Sequence, residues 1–166
     1  MSLRSAAAAV VGHNMRGYYL PIAGGTLLIA SAFLPWVYVG DVAVPVPRLA
    51  GLWVLGLGAL AVVLASLSIA TRRNSRHPLL LVGLVALGVN LFGQRVMMRA
   101  AEDRAWVDAQ KPSIVYGLDA RPPAKTSTGS GIYLGAAASA VLVLFGLTIV
   151  VRRASQPYLP PDDDDV

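Results

Sequence analysis

The side chains best placed to do chemistry are Asn90, Gln94 and Arg95, polar groups within an apolar run of sequence. Asn90 and Gln94 stand four residues apart and so share one face of a helix. A polar group inside a membrane-length apolar stretch is by default a functional hypothesis. It could hydrogen-bond a lipid headgroup, a quinone or pigment carbonyl, or a partner helix. The plainer reading is glue between helices, worth about 0.6 kcal/mol per bond, with Arg95 reaching outward to a phosphate. The plainer reading is the expectation.

Other candidates are weaker. His13 and His77 are the only histidines. A pair of histidines could ligate haem and one could ligate a chlorophyll, but both flank the apolar runs, and His77 precedes Pro78 as an interfacial cap would. Glu102, Asp103 and Asp108 could serve as acid–base carboxylates. Glu102 and Asp103 are adjacent and point to different sides of a helix, so ion pairs with Arg99 and Arg104 are expected instead. No Ser-His-Asp set, phosphate-binding glycine loop or zinc spacing is present. The chain has no cysteine, which excludes disulfides, thiolate metal sites and cysteine nucleophiles. No cofactor, metal or catalytic residue is therefore expected, and the chain is read as a non-enzyme. The terminal run Asp162 to Asp165 reads as a solvated acidic tail.

The elements carrying these residues follow from composition. Of 166 residues, 55% are hydrophobic and only 14% charged, against about 25% charged in a soluble domain. A helix needs about 20 mostly apolar residues to cross a bilayer. Four stretches qualify, near 18–39, 49–70, 78–98 and 131–151, and none holds Asp, Glu or Lys. The absence of a buried acid argues against a proton- or cation-coupled transporter. Ala30-Ser31-Ala32 resembles a signal-peptidase site, but the apolar run continues to Val39, so a retained helix is expected. The fold class is all-α: a four-transmembrane-helix bundle between a segment 1–17 and an acidic tail 152–166.

The third helix should run past the membrane. Gln94 to Gln110 holds no Gly or Pro and is rich in helix formers, and Lys111-Pro112 offers a stop. Residues 99–130 then form the one long connection, returning through a loop with Gly and Pro. Pro35 should kink or end the first helix, leaving Trp36 to Val39 irregular at the interface.

Charge density sets a topology. Arg72, Arg73 and Arg76 crowd one short turn, with Arg152 and Arg153 on the same side, where they would meet lipid headgroups. The positive-inside rule puts both termini in the cytoplasm and 99–130 outside. Trp36, Tyr38, Trp53 and Tyr133 then form an outer aromatic belt, with Tyr18 and Tyr19 at the inner face. The net charge of +5 is read as lipid-facing; nucleic acid is not expected.

Helices in lipid associate through small residues. Gly51, Gly58 and Ala65 supply such a stripe on the second helix. Gly131, Gly135 and Ser139 supply one on the fourth, Gly83, Ala86, Asn90 and Gly93 on the third, and Ala23, Thr26 and Ala30 on the first. In outline, four helices with a larger outer loop, the chain resembles claudin-like proteins, but it lacks their outer-loop cysteine pair and nothing is carried over. The expected role is a non-catalytic accessory or structural subunit of a larger bacterial inner-membrane complex, respiratory or photosynthetic. Its partners would be membrane lipids and other membrane protein subunits, with lipid, quinone or pigment contact as an option. The alternatives are a lipid or small-amphiphile binding or transport protein using Asn90 and Gln94, and an interfacial enzyme using 99–130.

Overall fold

The computed structural model describes residues 17–44, 46–71 and 76–154, with side chains through Thr148. Among the described residues there are four helices: α1 (Tyr19–Ser31), α2 (Arg48–Thr71), α3 (Arg76–Tyr116) and α4 (Ser130–Ala154). Three short strands join them: β1 (Val37–Val39), β2 (Val42–Val44) and β3 (Thr126–Thr128). The all-α expectation is corrected to this extent. Helices α2, α3 and α4 are long and apolar enough to cross a membrane.

The helices form a ring. α1 packs against α2 and α4, and α3 packs against α4 and α2. The outside of the ring is apolar, with Leu52, Leu60, Val63, Leu81, Leu91 and Phe92 all exposed. A water-soluble surface rarely shows so continuous an apolar face.

The first expected span is not one helix. α1 has 13 residues, about 20 Å of rise, and stops at Ser31. Pro35 has no N–H to give the Ser31 carbonyl, so the ladder fails there. The Trp36 indole takes that role, donating from Nε1 to the Ser31 carbonyl at 3.0 Å. The irregular backbone that follows is tied into the protein: Gly131 N–H donates to the Pro35 carbonyl at 3.0 Å and Gly129 N–H to the Trp36 carbonyl at 2.7 Å.

Beyond Trp36 the chain forms a hairpin rather than irregular coil. Val39 pairs with Val42 across Gly40-Asp41, and Gly40 has φ of 58°, as tight two-residue hairpin turns demand. β3 pairs antiparallel with the other edge of β1, giving the order β2-β1-β3. This small sheet caps one end of the ring and packs against α3 through β1 and β3.

α3 is 41 residues long, about 60 Å, and carries the expected extension. Pro112 does not end it. Proline's missing donor costs the Asp108 carbonyl one bond, and the helix continues to Tyr116. The stop is Gly117, φ 63°, whose N–H donates to the Ser113 carbonyl at 3.2 Å in an αL cap.

Candidate functional site

The polar patch expected on α3 divides into three environments. Asn90 is fully buried at the centre of the ring. Its Nδ2 donates to the Ala86 carbonyl at 2.9 Å and to Ser139 Oγ at 3.5 Å, and Ser139 donates in turn to the Gly135 carbonyl at 2.7 Å. Asn90 Oδ1 is buried and has no hydrogen-bond partner. It lies so close to Gly135 that a Cβ there would overlap it, with Ser31 Oγ 3.1 Å from the same point. On the α4 side Gly135 packs directly against Asn90. Gln94 stands higher and donates to Thr128 Oγ1 at 3.2 Å, tying α3 to β3. Arg95 is exposed.

The small residues are used inside the chain. Gly25 and Gly58 let α1 and α2 touch backbone to backbone: a Cβ on either would lie 2.8 Å from the other's carbonyl oxygen. Gly83 abuts Leu142 and Val143, and Gly146 abuts Leu80, joining α3 to α4. Ala65, Gly131, Gly135 and Ser139 are buried as expected. Gly51 is not in a helix contact and meets only Val46 at ordinary distance. On α1 the expected face is wrong. Ala23, Thr26 and Ala30 are exposed, and Gly24, Gly25, Leu28 and Ser31 face inward.

Of the residues expected in an aromatic belt, one is turned inward. Trp36 is fully buried, seated against Gly93 and Gly131 beneath the sheet. Trp53 and Tyr133 are exposed and Tyr38 is half-buried. At the opposite end, Tyr19 is exposed but Tyr18 is buried, its ring edge-on to Phe145 at 5.2 Å. Arg76, expected to face lipid headgroups, is turned inward. It is buried, with its guanidinium 5.5 Å from the Phe145 ring centre, a cation–π arrangement. Arg72, Arg73, His13, the terminal aspartates and the side chains of Arg152 and Arg153 lie outside the described residues.

A second module is built on the C-terminal part of α3. Met97, Ala101, Ala105 and Ala109 recur every four residues and are buried. Thr126 Oγ1 donates to Glu102 Oε1 at 3.5 Å, in place of the expected ion pair with Arg99 or Arg104. Arg121 N–H donates to the Ala109 carbonyl at 3.1 Å, so the returning chain lies along the helix. Asp108 is paired with Lys111. Among the described residues no three His, Asp or Glu side chains gather as metal ligands would; His77 is exposed.

The opposite side of this arm is mixed, with Asp103, Arg104, Asp108 and Lys111 exposed around Val107, and it turns apolar toward the tip. Trp106 and Val107 are exposed, and near the tip Ile114, Val115, Tyr116 and Leu118 are exposed by 59–78%. Trp106 and Val107 belong to a partial helical stripe legible in the sequence, but the tip was missed because a run of three apolar residues is too short to register as hydropathy. Its signal was the run Ile114-Val115-Tyr116 beside a helix stop. What this geometry can do is bind: it offers an apolar tip on a braced helix, and apolar grooves along α2.

Comparison with protein-family models, with curated proteins and with solved structures finds no match to this chain.

Proposed function

We propose that the chain is a non-catalytic subunit of a membrane assembly, and that the α3 extension is its docking arm for a protein partner. The observation that carries this reading is the exposed apolar tip. If α3 leaves the bilayer near Met98, about 18 residues, or about 27 Å, stand beyond it. That puts Ile114 to Leu118 far above the lipid, where an apolar cluster needs a protein to cover it. The buried alanine face and the bonds from Glu102 and Gln94 hold the arm in place. The internal use of the glycine stripes moves docking away from the helix faces and onto this arm.

The same reading makes all four helices membrane crossings, α1 completing its span with the tied segment 32–36. The arginine-rich turn between α2 and α3 lies in the cytoplasm with both termini, and the sheet lies outside. A reporter fused at the C-terminus should be active only in the cytoplasm.

A native gel of membranes dissolved in mild detergent tests the docking. The wild type should migrate well above monomer mass. Ile114→Asp with Val115→Asp should return it to the monomer without loss of expression. A wild-type monomer, or a complex indifferent to both substitutions, would overturn the proposal.

A further inference from the structure

One face of α2 carries two apolar grooves that share a wall. The first, of about 400 Å³, lies between α2 and α3 and is lined by Ala50, Trp53, Val89, Phe92, Val96 and Met97. The second, of about 440 Å³, runs along α2 past Leu52, Gly56, Leu57 and Leu60. Leu49 and Trp53 line both, so the Trp53 ring is the partition. Each volume falls within the range of about 300–1,000 Å³ usual for small-molecule sites.

Charge marks one end of the pair. Arg48 is exposed and lies between Pro47, which lines the first groove, and Leu49, which lines both. The first turn of α2 holds no acidic residue. Arg99 is exposed one helical turn beyond Val96 on α3, at the same end of the first groove. Asp41, the nearest acid in sequence before Arg48, sits in the hairpin turn.

We propose that this face binds one anionic diacyl phospholipid, with one chain on each side of Trp53 and the phosphate on Arg48. The two adjoining apolar hollows, one on the face of α2 and one between α2 and α3, offer a place for each of two chains, and Arg48 between Pro47 and Leu49 suits a phosphodiester of net negative charge. The proposal stands apart from the protein partner of the α3 arm.

Two substitutions separate its parts. Gly56 has no atom within 4 Å of where a Cβ would sit, so Gly56→Leu can extend into the second groove without its Cβ meeting any packed atom. Arg48→Gln removes the charge from an exposed position. The assay is binding of dioleoylphosphatidylglycerol, dioleoylphosphatidylcholine and single-chain lysophosphatidylglycerol to the full chain in detergent, read by native mass spectrometry. Unfolding midpoints without added lipid check each variant's fold, and Arg48→Met, also uncharged, serves in place of Arg48→Gln if the latter is impaired.

The wild type should prefer phosphatidylglycerol to phosphatidylcholine by about fivefold, the effect of one basic residue at a lipid surface. Arg48→Gln should erase that preference, and Arg48→Lys should keep it. Gly56→Leu should weaken both diacyl lipids at least fivefold and leave the single-chain lipid unchanged. Equal binding of the two diacyl lipids by the wild type would mean an unselective lipid annulus and would overturn the proposal. A preference that survives Arg48→Gln, or diacyl binding unaffected by Gly56→Leu, would overturn it equally.

Discussion

Replacing Gly135 with alanine should change sign with the residue at position 90. In the wild type the new methyl would overlap Asn90 Oδ1 and crowd Ser31 Oγ. Asn90 cannot swing aside cheaply, because its Nδ2 is held by the Ala86 carbonyl and Ser139. Overpacking of this kind costs about 1–3 kcal/mol, and the upper end applies to a side chain enclosed on every side. Alanine in place of a mid-helix glycine returns about 1 kcal/mol. The net is a loss of about 2 kcal/mol. In an Asn90→Ala background the overlap is gone and only the milder contact with Ser31 Oγ opposes the helix gain, so Gly135→Ala should stabilise by up to about 1 kcal/mol. Asn90→Ala alone should cost about 1 kcal/mol, from two interhelical-strength bonds. The coupling between the sites is then about 3 kcal/mol, well above the scatter of additive pairs. Equilibrium unfolding in mixed micelles of mild detergent and dodecyl sulfate measures all four corners of the cycle. Equal effects of Gly135→Ala in both backgrounds would refute the packing described for the bundle centre.

Three further outcomes follow from the same geometry. Gly58→Leu should abolish folded protein on size-exclusion chromatography, since its Cβ would meet Ile29 Cγ1 at 2.7 Å and the Gly25 carbonyl at 2.8 Å, whereas Gly56→Leu, two residues away, should elute as the wild type does. Trp36→Ala should cost about 3–5 kcal/mol in the unfolding assay, while Trp36→Phe, which loses chiefly the bond to the Ser31 carbonyl, should cost about 1 kcal/mol. Gln94→Leu should release β3 from α3, so that protease cuts within 117–125 at least several-fold faster while the unfolding midpoint stays within a degree or two.

Hydropathy made the long helices legible because each needs only one property sustained over about 20 residues. It also hid the hairpin. Val37-Tyr38-Val39, Gly40-Asp41 and Val42-Ala43-Val44 form a β-branched, turn, β-branched pattern that reads as a hairpin on its own terms. The apolar run leading into it made the whole stretch look like one helix. Pro35 marked the true boundary, but only the structure shows that Trp36 replaces the missing donor and must turn inward to do so. Trp36 itself looked like a belt residue because tryptophan at the end of a span usually is. The glycine face of α1 was misassigned for a related reason. Ala23, Thr26 and Ala30 have helical spacing, but Gly24 and Gly25 are smaller, and the crossing with α2 is close enough that only glycine fits. The extension of α3 was legible from its composition, and its end was not. A proline near the last turn costs one bond, which the bracing around Ala109 offsets, and the αL position at Gly117 decides where the helix stops.

The role given to the α3 arm is tested most directly by a photoreactive amino acid placed at Val115 in native membranes, with Leu81 as a control on the apolar outside of the bundle. The account predicts that position 115 yields one discrete adduct to a protein other than this chain. Position 81 should yield only lipid adducts. Adducts at 115 to lipid alone or to a second copy of this chain, or no adduct at all, would contradict it.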